Sequence, residues 1–499
     1  MELQFKKTAC PCLGRAAREV KNTELTQELK LPDGMPDIGR VLTAWGQVIL
    51  RSKEWRGDSA SVSGGVMVWV LYAPEDGTDP RCVDTWIPFQ IKWDISGTDR
   101  EGPIRVLPLL RFADSRTVSA RKMMVRAGVA AMGEALYPME AEIYQAEELP
   151  ADVELLKKTY PVRLPRESGE KTFLLDEDLT IPGTNPAPEK ILSYTIRPEI
   201  TDQKVMTNKV VFRGNAQLHL VYRCQEGRIR VWDFELPFSQ FEELEGAYGT
   251  EAQTDIQMGT TSLELDLSDE GKLRLKCGLV AQYLVDDVSL LELVEDAYSP
   301  HRQTEIKTES LALPGILDKR QETMNAEQTI PGIEGEVLDV TFLPDFPKQR
   351  RVGDEIGMEV PGLFQVLYNA EDGAIQSASA RWEGHWNLGA GEDSRIDSAV
   401  MTVGKPQASV NGEGIAVNGE LVLQADTTTD HGIPMVSALE LGEAADQDPN
   451  RPSLILCRPG KERLWDVAKR CGSTVAAIQR ANSLENEPDA DQILLIPVS

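Results

Sequence analysis

Three anchors return along the chain at nearly constant intervals, and a period of about 150 residues leaves few architectures open. LPDGMPDIGRVL from Leu31, IPGTNPAPEKIL from Ile181 and IPGIEGEVLDVT from Ile330 place Pro32, Pro182 and Pro331 at intervals of 150 and 149. VMVWVLYAPEDG, QLHLVYRCQEG and LFQVLYNAEDG place Tyr72, Tyr222 and Tyr368 at intervals of 150 and 146. From Pro to Tyr the distance is 40, 40 and 37 residues, and from Tyr to a turn glycine (Gly77, Gly227, Gly373) it is 5 each time. Proline holds its own φ and pushes the preceding residue toward extended geometry, so each Pro segment is expected to lead into a strand.

The tyrosine anchor ends an alternating run. In the second copy Ala216, Leu218, Leu220 and Tyr222 face one way, while Gln217, His219, Val221 and Arg223 face the other. A period of two marks a half-buried strand, and an acidic residue followed by glycine reads as a hairpin turn. Leu263, Leu265 and Leu267, then Leu273, Leu275 and Cys277, repeat the alternation around the turn SDEG, and Gly278 lies 150 residues after Gly128. Each copy therefore reads as an antiparallel β-sandwich or barrel-like domain with its own core. The expected layout is an N-terminal segment 1–20, repeats at 21–146, 165–300 and 315–441, a polar linker 442–453, and a separate unit at 454–499. The charged, proline-containing connections 147–172 and 299–324 are expected to hold a short helix or an added strand.

That last unit has a different pattern. Leu454 to Leu456 reads as a short strand, and Leu464, Val467, Ala468 and Cys471 recur at i, i+3, i+4 and i+7 on one helix face. Gly472 suits the end of that helix, Ser473 or Thr474 caps a second one bearing Val475 and Ile478, and Ile493 to Ile496 closes a second strand. The fold class is thus mainly β, three tandem sandwiches or barrel-like repeats followed by a small α+β unit of order βααβ.

Charge narrows the function. Eighty acidic residues against 52 basic ones give a net charge of −28, which opposes binding to nucleic acid. From Ser453 to Ser499 the count is six against six, so the acidity belongs to the repeats. No apolar run approaches the roughly 20 residues needed to span a bilayer, and MELQFKKTACPCLGRAAREV lacks the apolar stretch of a secretory signal, so a cytoplasmic location is expected. Seven scattered cysteines fit a reducing compartment, and the CxC of Cys10 and Cys12 reads as thiols in a flexible N-terminal segment.

The residues resemble a known family. DLTIPGTNPAPEKILSYTIRPEI, FRGNAQLHLVYRCQEG and FELPFSQFEEL look like the SPOCS domain of spore-coat-associated proteins in endospore-forming Firmicutes. The first copy matches through LPDGMPDIGRVL and WIPFQ, while the third keeps Pro331, Tyr368 and Gly373 but lacks the second proline. LWDVAKRCGSTVAAIQRANSL and QILLIP resemble a LysM domain. That resemblance implies a groove between the loop before the first helix and the loop after the second, usually for N-acetylglucosamine glycans: Gly460, Lys461, Glu462, Arg463, Leu464 and Trp465 on one side, Asn482, Ser483 and Leu484 on the other. Where the family commonly has Gly-Asp-Thr, this chain has Lys461, Glu462 and Arg463, side chains that crowd a sugar and suit a charged protein partner. Trp465 reads equally as groove residue or core.

No catalytic constellation stands out. The four histidines (His219, His301, His385, His431) are far apart with no HExxH, and neither a phosphate loop nor a GxSxG elbow occurs. GEGIAVNG from Gly412 reads as hairpin turns, His219 as a surface residue and His385 as a packing residue. No cofactor or metal is expected. The resemblance implies a non-enzymatic, multivalent protein of spore-coat assembly, acting at the forespore surface in the mother-cell cytoplasm, whose LysM domain binds a coat morphogenetic protein. The alternative is a cell-wall or cortex protein that binds peptidoglycan through that domain.

Overall fold

The computed structural model describes every residue except 1, 146–148, 269–270, 312–317, 353–354, 391–393, 430–431, 445–451, 485, 490–491 and 499. The first unit contains β1 (Glu2–Gln4), β2 (Lys6–Lys30), β3 (Ile38–Arg56), β4 (Ser59–Pro74), β5 (Arg81–Asp94), β6 (Ile104–Ser119) and β7 (Lys122–Gln145). The second contains β8 (Glu154–Leu179), β9 (Pro188–Met206), β10 (Lys209–Cys224), β11 (Ile229–Glu243), β12 (Gln253–Leu267) and β13 (Leu273–Tyr298). In the third, β14 (Arg302–Leu311), β15 (Asp318–Pro331), β16 (Gly335–Pro344), β17 (Lys348–Val352), β18 (Glu355–Ala370) and β19 (Ile375–Ala390) precede β20 (Ser394–Val403), β21 (Gln407–Asn411), β22 (Gly414–Thr429) and β23 (Ile433–Ala444). The chain ends in β24 (Leu454–Cys457), α1 (Leu464–Cys471), α2 (Val475–Asn482) and β25 (Leu494–Pro497).

One pairing scheme recurs. In the first unit β3, β4 and β5 form an antiparallel meander, and β7 lies between β2 and β6 in a second sheet. In the second unit β9, β10 and β11 form the meander and β13 lies between β8 and β12. The third unit repeats the scheme with strands interrupted: β18 pairs β16, β17 and β19, and β22 pairs β15, β20 and β21. Each sheet is open, so the barrel-like alternative is overturned. The cores lie between the two sheets, with Val66, Val68, Val70 and Tyr72 facing Val125, Ala127 and Val129 in the first unit, and Leu218, Leu220 and Tyr222 with Leu275, Cys277 and Leu279 in the second.

The anchors have structural causes. Tyr72 Oη donates to the carbonyl of Pro36 at 3.0 Å and Tyr222 Oη to that of Pro186 at 3.1 Å, tying each strand end to the loop that holds the second proline. In the third unit Gly335 takes that proline's place, and Tyr368 Oη turns to Gln376 Oε1 at 3.0 Å. Gly77, Gly227 and Gly373 have φ of 74°, 78° and 81°, the region that L side chains disfavour. Gly128 and Gly278 sit opposite bulges in β6 and β12, and a Cβ on Gly128 would lie 2.3 Å from the Phe112 ring. The GEGIAVNG glycines do form a hairpin, between β21 and β22.

Several expectations are corrected. The N-terminal segment expected to be loose chain is almost wholly strand over its described residues: β1 covers Glu2–Gln4, and β2 starts at Lys6 and runs straight through the expected boundary at 20, because β7 extends far enough to pair with it. Cys12 is buried there and Cys10 half-buried. The boundary expected at 165 falls inside β8, and the linker expected at 442–453 begins inside β23, its residues 445–451 lying outside those described. The connections 147–172 and 299–324 hold strands among their described residues, in β8, β14 and β15.

These extensions build a second body. The outer halves of β2–β7 and β8–β13 and the β14–β23 hairpin are ribbons that continue beyond the sandwiches, and β1 adds to the edge of β23. Ile143, Leu293, Leu311 and Met435, one from each of β7, β13, β14 and β23, share a core, and Phe5, Val294, Ala297, Val436 and Leu439 share another. The sandwiches also meet one another, through Trp45, Trp69, Leu71, Leu192, Val221, Ile229 and Leu367.

Candidate functional site

The C-terminal unit is built on a small core of Leu464, Val467, Ala468, Ile478, Leu494 and Ile496. Its strands pair antiparallel, Leu454 opposite Pro497 and Cys457 opposite Leu494. Thr474 caps α2 by accepting the Ala477 N–H at 3.1 Å, and Gly472 ends α1 at φ 63°. Asn482 closes the unit: Nδ2 donates to the carbonyls of Ile478 at 2.8 Å and Leu495 at 2.7 Å, and Oδ1 accepts the Leu495 N–H at 2.7 Å.

The residues expected to line a groove are largely spoken for. Leu464 is core, and its backbone N–H, at the first turn of α1, is bound by the Glu487 carboxylate at 2.8 Å. Arg463 pairs with Asp466 at 3.0 Å and Glu462 with Arg470 at 2.7 Å, both exposed. Gly460 (φ 60°) and Lys461 lie in the exposed turn before α1. Ser483 is the left-handed cap of α2 at φ 51°, and Leu484 N–H returns to the Gln479 carbonyl at 3.0 Å. Asn482 is a staple and not a ligand-facing side chain.

Trp465 leaves the groove altogether. It is buried against the second unit's ribbon, with its ring edge-on to Tyr298 at 4.8 Å between centroids and its Nε1 donating to Asp296 Oδ2 at 2.8 Å. Lys469, one helical turn on, reaches both oxygens of Asp296 at 2.7 and 2.8 Å. Tyr298 Oη donates to the Ser473 carbonyl at 2.9 Å, and burial pushes that phenol's pKa up. Asp296, Tyr298, Lys469 and Ser473 were not among the expected site residues. Trp465 and Lys469 at i and i+4 share a helix face, but nothing local marks Asp296 among the many acids of its strand.

A second polar cluster lies where the three sandwiches meet. His219 on β10 is half-buried, not a surface residue; its Nδ1 and Nε2 lie 2.6 Å from Asp233 of β11 and 3.0 Å from Asp339 of β16. Asp339 also accepts Trp45 Nε1 from β3 at 2.9 Å, and Lys405 of the third unit reaches Asp233 at 2.5 Å. Burial opposes a charged imidazole, but the two carboxylates outweigh it and push the pKa up to about 10, so both ring nitrogens donate. Burial likewise opposes the Asp233 charge, yet His219 and Lys405 hold that carboxyl at about 2. The first two sandwiches are further joined by buried Gln282, which pairs with both backbone groups of Val106 at 2.8 Å. Arg105 bridges Glu134 at 2.8 Å and Asp255 at 2.5 Å across the same seam.

Two other expectations resolve here. His385 is exposed, its neighbour Trp386 taking the core position, so it is no packing residue. His431 lies outside the described residues. Among the described residues no group of three or more His, Cys, Asp or Glu is placed to hold a metal ion, and no helix is long and apolar enough to cross a membrane.

No curated protein and no solved structure matches the chain. Residues 188–266, which run from β9 into β12 and so contain the whole meander of the second unit, match the family model described as SipL, SPOCS domain. The second unit is thus similar, over its meander and most of β12, to the SPOCS domain.

Proposed function

We propose that this chain is a non-enzymatic structural and interaction protein of spore-coat assembly, working at the forespore surface in the mother cell, with its LysM-like C-terminal unit contacting a coat morphogenetic protein. The observation that carries the reading is the SPOCS match over residues 188–266. Its support is physical as well. Side chains and strand edges of the repeats are spent on holding the units to one another, as at His219, Gln282 and Arg105. A net charge of −28 suits a protein that meets basic or neutral protein surfaces.

Protein is favoured over peptidoglycan as the partner. A glycan held through backbone donors would compete with the Glu487 carboxylate already bound at Leu464 N–H, and neither Trp465 nor Asn482 is available to it. The test uses the full chain. A fluorescent fusion in sporulating cells should ring the forespore, and purified chain should capture a coat protein from their lysate while showing no retention on purified peptidoglycan. Diffuse fluorescence would sink the coat reading, whereas retention on peptidoglycan without any coat partner would move the function to the cell-wall alternative.

A further inference from the structure

We propose that Cys10, Cys12 and Met139 form a binding site for a soft monovalent metal ion, Cu(I), on the inner face of the β2–β7 ribbon. Cys10, Cys12 and Gly14 alternate along β2 and so point to one face. Met139 lies directly opposite Cys12 on β7, and its thioether folds over β2: a Cβ on Gly14 would lie 2.7 Å from Met139 Sδ. Three sulfur atoms from two strands therefore share one patch, and the pairing beneath them runs without a bulge from Lys6 to Arg15. Val162 and Leu164 of β8 cover the patch together with half-buried Tyr160 and Leu291. Cys12 is buried and Cys10 half-buried, so the pair is shielded from water yet open on one side.

The donor set selects the ion. Same-face neighbours on a strand are about 7 Å apart at Cα, and with metal–thiolate bonds of about 2.3 Å two such side chains can close on one ion. Zinc takes four ligands, and among the described residues no third His, Cys, Asp or Glu joins the pair. Calcium and magnesium require oxygen. Cu(I) is satisfied by two thiolates and a thioether, the set present here. Binding forms two Cu–S(thiolate) bonds and releases two thiol protons to water, with no electron transferred. Two thiolates and one Cu(I) leave a single negative charge. The Arg166 guanidinium stands beside it, donating to the Pro11 carbonyl between the two cysteines and pairing with Asp287 at 3.5 Å. None of these residues serves the coat reading, which would survive failure of the site.

The test titrates reduced, metal-free full-length chain with Cu(I) under nitrogen, against bicinchoninate as competing chelator. Wild-type chain should take up one equivalent more than Cys10→Ser/Cys12→Ser. Met139→Leu should keep that equivalent but hold it about 10-fold more weakly. X-ray absorption at the copper edge of the singly loaded chain should show sulfur neighbours only. Wild-type chain supplies two readouts that no variant's folding affects. One equivalent of Cu(I) should raise its unfolding temperature where Zn(II) does not, and should protect Cys10 from alkylation by iodoacetamide. Equal uptake by wild type and the double variant, nitrogen or oxygen neighbours at the copper, equal stabilisation by Zn(II), or a first equivalent that leaves Cys10 reactive would each overturn the proposal.

Discussion

His219 shows how far a residue's role departs from its local pattern. In the alternation of β10 it falls on the face opposite Leu218 and Leu220, which by itself means solvent, yet Asp233 and Asp339 close over it from two directions. Its pH dependence follows from its charge. The folded pKa of about 10 lies above the unfolded value of about 6.5, so its stabilisation is complete below pH 6.5 and is lost as pH rises through 10. Asp233, held at about 2, contributes fully above about pH 4 and is lost as pH falls through 2. His219→Gln should therefore lower stability by about 2–3 kcal/mol between pH 4 and 6.5, since it removes the cation between two carboxylates and leaves Asp339 with only the Trp45 N–H while Asp233 keeps Lys405. Urea titrations of both proteins across pH should show that difference shrinking above pH 6.5 and vanishing beyond pH 10. The repeated tyrosines give the opposite lesson: Tyr72 and Tyr222 lie where their spacing put them, and the missing second proline of the third copy appears directly as a different hydrogen-bond partner for Tyr368.

At the scale of elements, strands in the repeats and the order strand, helix, helix, strand at the C-terminus were legible because amphipathic period and turn chemistry are local properties. Length was not. β2, β8 and β13 run 25, 26 and 26 residues, far beyond the usual 5 or 6, and they do so because a partner strand continues beside them, which no local pattern encodes. That is why the segment 1–20, read from sequence alone, looks like loose chain. Within the C-terminal unit, the LysM resemblance implies Asn482 as a groove residue; in the structure it ties α2 to β25 by two hydrogen bonds with the Leu495 backbone and bonds the Ile478 carbonyl within α2. Asn482→Ala should cost the unit about 2 kcal/mol, leaving both half-buried backbone groups of Leu495 in β25 unpaired. Amide hydrogen exchange should show the loss as faster exchange confined to 454–498, with the repeats unchanged; uniform exchange across the chain would contradict the staple.

The whole molecule is three sandwiches locked at a shared junction, above three ribbons that share further cores, with the C-terminal unit seated on one ribbon. Repeats on independent stalks would unfold in separate steps. Because Trp45, His219 and Asp339 come from three different units and make one bonded cluster, denaturation of the described repeats should follow one transition by tryptophan fluorescence and by circular dichroism. Calorimetry resolving three peaks in the wild-type chain would disprove the interlock. By itself the sequence determined the period, the anchors that end strands, the glycine turns and the change to a helical pattern at the C-terminus, since each rests on residues within a few positions of one another. Which outward faces are covered, how far the long strands run, what Trp465 touches and why His219 is charged were decided only in three dimensions, because each depends on groups 100 or more residues away that only packing brings within bonding distance.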